Sequence, residues 1–143
     1  MKPLFAAVMA ALSSLSLPAA AEVSLRDTAA LKAFLAGGAP CCVIDARNVA
    51  KRLSAPLDDA LPWRKDLKIN PTGVVVVVAD TDARALEVGR ALQRTSKAKE
   101  IYAVKGGERS WRAATESSAA GGMPGSFIIP KNTCESGAAI QQY

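Results

Sequence analysis

The sequence predicts one α/β domain with a mostly parallel central sheet and helices on both faces. Val74 to Val78 are five consecutive β-branched residues between Gly73 and Ala79, a run suited to a central strand covered on both sides. Cys41-Cys42-Val43-Ile44 is a second continuous apolar run, with Asp45 just beyond it. Segments of helical periodicity alternate with these strands, as in repeated βα units. A chain of 143 residues suits a single core.

The elements follow in order. Asp27 is placed to cap a helix whose apolar positions Ala30, Leu31, Phe34 and Leu35 share one face, and Gly37-Gly38 ends it. After the Cys41–Ile44 strand, Pro56, Pro62 and Pro71 interrupt any period over 48–72. A helical turn near Ala50 to Leu53 followed by irregular loop is expected there. The Val74–Val78 strand leads through Asp80-Thr81-Asp82-Ala83 into a helix from Arg84 to Arg94, packed through Ala85, Leu86, Val88, Gly89 and Leu92. A strand at Ile101 to Val104, a turn at Gly106-Gly107 and a helix from Glu108 to Thr115 complete the pattern. Gly121-Gly122 is a linker, and Phe127-Ile128-Ile129 would suit a last short strand.

Both ends carry separate signals. Lys2, the apolar stretch Leu4 to Leu17 and the small residues Ala19-Ala20-Ala21 have the order of a secretory signal peptide over 1–21, cleaved after Ala21. The apolar stretch is shorter than the roughly 20 residues that span a bilayer, and no stable membrane span is expected after cleavage. Residues 22–120 form the domain, and 121–143 form a tail that packs on it. The expected location is the periplasm or the extracellular space, where disulfides persist.

The chain has no histidine, which excludes Ser-His-Asp and Cys-His nucleophile pairs and HExxH metal sites. Its formal charge of +5 falls by one with removal of Lys2, and its basic residues are scattered. Only 5% of residues are aromatic, so no stacking platform for nucleic acid is expected.

Ligands of a parallel sheet bind at the carboxyl ends of its strands, so the loop after Val78 is the default site. Here the residues resemble the rhodanese-like sulfurtransferase domains. Val43-Ile44-Asp45-Ala46-Arg47 is similar to that family's hydrophobic-hydrophobic-Asp-x-Arg strand end, and Val74 to Arg84 to its strand and active-site loop. Val104-Lys105-Gly106-Gly107-Glu108-Arg109-Ser110-Trp111 is similar to its Gly-Gly-x-x-x-Trp signature. The likeness covers about residues 24–115; its Gly-His-Ile-Pro-Gly-Ala segment has no counterpart beyond Asp59-Ala60.

The resemblance implies a Cys-x-x-Gly-x-Arg loop whose cysteine thiolate carries sulfane sulfur among backbone N–H groups. With the arginine on Arg84, Ala79 stands at the cysteine position and Asp82 at the glycine position. No catalytic residue is then assigned. Asp80, Thr81, Asp82, Ala83 and Arg84 are the loop or ligand-binding candidates, the two aspartates reading most simply as helix caps. Asp45 and Arg47 organise the loop as a buried polar pair.

Cys41 and Cys42 belong to the far end of the sheet, about 17 Å from that loop for a strand of about five residues. A disulfide from Cys41 or Cys42 to Cys134 is expected, with a vicinal Cys41–Cys42 bridge and free thiols as alternatives. Three cysteines without histidine or CxxC spacing are not a recognisable metal motif, and no metal or cofactor is assigned. Lys105, Arg109 and Arg112 read as a solvated helix face, Trp111 as core or pocket wall, and Trp63-Arg64-Lys65 as a candidate partner-binding tip.

Two functions follow from these residues. One is a non-catalytic exported rhodanese-like module that meets a periplasmic protein partner through the loop or the Trp63 region. The other is a thiol-dependent sulfurtransferase or a redox or persulfide carrier using Cys134, Cys41 or Cys42.

Overall fold

The computed structural model describes residues 22–119 and Cys134. Its elements in chain order are β1 (Glu22–Arg26), α1 (Thr28–Gly37), β2 (Cys42–Asp45), α2 (Val49–Ser54), β3 (Ala60–Pro62), β4 (Val75–Val78), α3 (Asp82–Thr95), β5 (Glu100–Val104) and α4 (Gly107–Ala119). The five strands form one sheet in the order β1-β5-β4-β2-β3, and every neighbouring pair is parallel. The expected α/β class and parallel sheet are both present.

The valine run explains why helices cover both faces. Side chains alternate along a strand, so a run apolar at every position needs cover above and below. Val75 and Val77 pack with Ala85, Val88 and Leu92 of α3, together with Ile44, Ile101 and Ala103. Val76 and Val78 pack on the other side with Leu31 of α1 and with Trp111 and Ala114 of α4. All four valines are fully buried.

Two strands lie where the sequence offered no clear sign. Residues 22–26 carried no expected element, yet β1 pairs with β5 from Glu22↔Glu100 to Arg26↔Val104. It is an edge strand flanked by one neighbour, so its polar residues are tolerated and its apolar signal is diluted. The segment expected to be irregular loop contains β3, which pairs with β2 through Val43↔Ala60, Ile44↔Leu61 and Asp45↔Pro62. Pro62 sits at the last position of this three-residue edge strand, where a missing backbone donor costs little.

Helix α3 starts earlier than its apolar periodicity suggested, while α1 begins after Asp27 as expected. Thr81 is the N-cap of α3, its hydroxyl accepting from the Arg84 N–H at 3.1 Å, so Asp82 and Ala83 already belong to the helix. Asp27 caps α1 by accepting from the Ala30 N–H at 2.9 Å. Asn48 does the same for α2 at the Lys51 N–H. No helix among the described residues is long and apolar enough to cross a membrane. The proposed leader 1–21, the Gly121-Gly122 linker and the Phe127–Ile129 strand lie outside the described residues.

Candidate functional site

The register places the site. Asp45 lies opposite Val78 at the carboxyl ends of β2 and β4, so the loops after these strands emerge side by side. The β5–α4 turn joins them through Gly106 and Gly107, whose φ values of 81° and 64° belong to the left-handed region open to glycine. A Cβ at Gly107 would lie 2.7 Å from the Ala79 carbonyl oxygen. This close approach brings the start of α4 against the β4–α3 loop.

The two loop aspartates are ties rather than caps, which corrects the expectation for them. Asp80 accepts from the Asn48 N–H at 2.7 Å and pairs with the Lys51 ammonium at 2.7 Å, joining the loop to the start of α2. Asp82 accepts from the Gly106 N–H at 2.9 Å, joining it to the β5–α4 turn. The hydrogen bond to Lys51 is the largest influence holding the Asp80 carboxyl below its ordinary pKa, and the Asn48 N–H adds to it.

Beneath the loops lies a charged network. Arg47, only 3% exposed, donates to both Asp45 oxygens at 2.9 and 2.7 Å, to the Ala55 carbonyl at 2.9 Å, and to Glu108. The hydrogen bond to Asp45 leads the influences that raise the Arg47 pKa. Glu108 also accepts from Arg112 Nε at 2.8 Å, and Arg112 reaches the Ala55 and Pro56 carbonyls at 3.2 and 3.0 Å. Arg112 first, and Arg47 after it, hold the Glu108 carboxyl below its usual range.

Arg47, Lys51, Ala79, Asp80, Glu108 and Arg109 line the resulting cavity of about 550 Å³, with Gly106, Gly107, Ser110 and Arg112. Ala79 is 1% exposed and presents a methyl group rather than a nucleophile. Arg84 is not among the lining residues; its guanidinium pairs with Glu87 along α3 at 2.9 Å. Arg112, its side chain 40% exposed, belongs to the charged network, and the exposed Arg109 lines the cavity, so these two are not simply a solvated helix face. Lys105 remains exposed. Lys51 and Glu108 are the contributors that sequence reading missed. Lys51 lay in the stretch without periodicity, and Glu108 occupied an unassigned position of the Gly-Gly-x-x-x-Trp segment.

Trp111 is core, 6% exposed on the α1/α4 side of the sheet. The Trp63 side chain is half-buried against the α3-side core, and the residue's backbone N–H donates to the Asp45 carbonyl at 2.9 Å. Only Arg64 and Lys65 stand out from that segment, so its indole is not a free tip.

The cysteines gather at the opposite end of the sheet. Cys42 is paired with Val75, where β4 begins. Cys41 forms a disulfide with Cys134, their Cα atoms 6.2 Å apart, and Cys42 is free and buried. Burial pushes the Cys42 thiol up to about 12. The Cys134 carbonyl also accepts from the Asn70 N–H at 2.8 Å, so the tail meets the domain at this residue by backbone as well as by sulfur. Among the described residues, these three cysteines are the set of potential metal ligands that lie together, all ligand atoms within 4.8 Å of one another.

No protein-family model, curated protein or solved structure matches the chain.

Proposed function

We propose that this chain is an exported rhodanese-like domain without sulfurtransferase activity, acting as a binding or accessory module whose loop-end cavity meets a periplasmic protein partner. The observation that carries the reading is the separation of the thiols from the loop. Ala79 occupies the position where the resemblance calls for cysteine, while Cys42 lies beside Val75 at the far end of the sheet. Cys134 is bound to Cys41 at that same end.

A sulfur-carrying nucleophile must be ionised and within hydrogen-bond reach of the groups that stabilise it. Cys42 is buried and its pKa is raised to about 12, while Cys41 and Cys134 are oxidised. These facts weigh against the thiol-enzyme alternative. The mixed charges of the cavity, with Asp80 and Glu108 facing Lys51, Arg47 and Arg112, favour a polar protein surface over a small dianion.

Cyanide-dependent sulfur transfer from thiosulfate tests the reading. The exported chain should show no turnover above a protein-free blank, and an Ala79→Cys variant reports whether the backbone cradle persists. Activity in the parent chain that Cys134→Ser abolishes would overturn the proposal. Expression in a bacterium with mass analysis of the exported product checks the export component; the expected amino terminus is Glu22.

A further inference from the structure

The cysteine end of the sheet is remote from the loop cavity and plays no part in the proposed binding role. Cys41 precedes β2, and its N–H donates to the Val74 carbonyl at 2.9 Å, which holds it beside the start of β4. Cys42 is the first residue of β2 and is 4% exposed. Cys134 enters from the tail and is fully buried. Three sulfurs from two distant parts of the chain therefore converge, although the disulfide needs only two of them.

We propose that, once the Cys41–Cys134 disulfide is reduced, Cys41, Cys42 and Cys134 form a three-thiolate site for a soft monovalent cation, copper(I). With metal–sulfur bonds of about 2.3 Å, three sulfurs around one ion stand about 4.0 Å apart. The three ligand atoms already lie within 4.8 Å of one another, and the Cys41 and Cys134 sulfurs, bonded to each other here, have to move apart to that metal-bound spacing once the disulfide is broken. The donor set selects the metal class, because thiolates favour soft ions such as copper(I). A structural zinc site takes four ligands. The chain has no histidine, and among the described residues no carboxylate joins the three sulfurs. Cys41 is half-buried and supplies the path of entry, while the other two sulfurs lie in the apolar core.

The redox step balances with a dithiol reductant. The Cys41–Cys134 S–S bond breaks and two S–H bonds form, while the reductant gives up two electrons and two protons and becomes a disulfide. Copper(I) then replaces the thiol protons, which pass to solvent, and no further electrons move. A disulfide oxidant would reverse the sequence: it takes two electrons from the Cys41 and Cys134 thiolates and two protons from solvent to become a dithiol, the Cys41–Cys134 bond closes, Cys42 regains a proton from solvent and copper(I) is released. The site therefore exists in one redox state of the chain.

The test uses the exported chain reduced with a phosphine and desalted without oxygen, then given copper(I) in competition with the chromogenic chelator bicinchoninate. The reduced chain should hold one copper(I) per molecule, with a sulfur-to-copper charge-transfer band in the near ultraviolet. The oxidised chain should leave all the copper on the chelator. Cys42→Ser and Cys42→Ala, which both leave the disulfide pair intact, should each weaken retention at least tenfold after reduction. Retention by either folded variant equal to the parent's, equal retention by the oxidised chain, or no retention by the reduced chain would overturn the proposal. So would a reduced chain whose far-ultraviolet helical signal is lost and not restored by copper(I). Sulfur-transfer assays have no bearing on these outcomes, so this proposal and the loop-module reading fail separately.

Discussion

The Asp82 carboxylate accepts a hydrogen bond from the Gly106 N–H at 2.9 Å, tying the first turn of α3 to the turn that begins α4. A carboxylate in this place also favours the positive end of the α3 dipole. Asp82→Ala removes both effects, and the expected loss is about 1–2 kcal/mol of stability. Asp82→Asn retains an acceptor oxygen and loses only the charge, so about half that loss is expected. Urea denaturation of the three proteins checks the order; equal midpoints would mean that the tie contributes nothing.

Gly107 is the next point of strain. Its φ of 64° costs an alanine about 1–2 kcal/mol, and the new Cβ would meet the Ala79 carbonyl oxygen at 2.7 Å. That oxygen belongs to the backbone and has no rotamer to escape into. Gly107→Ala should therefore cost about 2–4 kcal/mol. Gly106→Ala also has a positive φ, but its new Cβ meets the Ser110 side chain, which is able to rotate away. The smaller loss belongs to Gly106→Ala, and thermal unfolding of the pair would refute the argument if that order were reversed.

These positions show what local sequence carries and what it does not. Val74 to Val78 announced a central strand because burial on both faces demands an unbroken apolar run. Asp27 announced a cap because its signal is local to one helix turn. β1 and β3 were hidden because an edge strand borrows its order from a neighbour far away in sequence. The roles of Asp80 and Asp82 were misread for a related reason. A carboxylate before a helix reads as its cap, yet Thr81 takes that role, and both aspartates reach loops that only the sheet order brings near. Glu108 stands within the Gly-Gly-x-x-x-Trp segment, but its link to Arg47, 61 residues away, belongs to tertiary structure.

The cysteine arrangement predicts a definite thiol count. Without reductant, the native chain should react with no thiol reagent at neutral pH, since Cys42 is buried with its pKa at about 12. In denaturant, one thiol should become reactive, and reduction should bring the number to three. The disulfide closes a sequence separation of 93, and its loss through Cys134→Ser should cost about 2–5 kcal/mol. Two reactive thiols or more in the unreduced denatured chain would rule out the Cys41–Cys134 bond.

Acid should weaken the fold through Asp80 and Glu108. Both carboxyls bind protons less readily in the folded chain, Asp80 chiefly through Lys51 and Glu108 chiefly through Arg112. Their contribution is complete above the unfolded carboxyl pKa of about 4 and is lost as pH falls through the lower folded values. The Lys51 side chain is 56% exposed and that of Arg112 is 40% exposed, so solvent and salt screen both of these pairs, whereas the second contact of Glu108, to the buried Arg47, is screened less. Stability measured in urea from pH 6 to pH 2 should fall in the parent chain, and less steeply in Asp80→Asn and in Glu108→Gln. High salt should shrink the difference from the parent in both variants, and shrink it less for Glu108→Gln, because the Arg47 contact stays out of solvent. Identical acid slopes in all three proteins at low salt would show that neither carboxylate governs the loop end of the sheet.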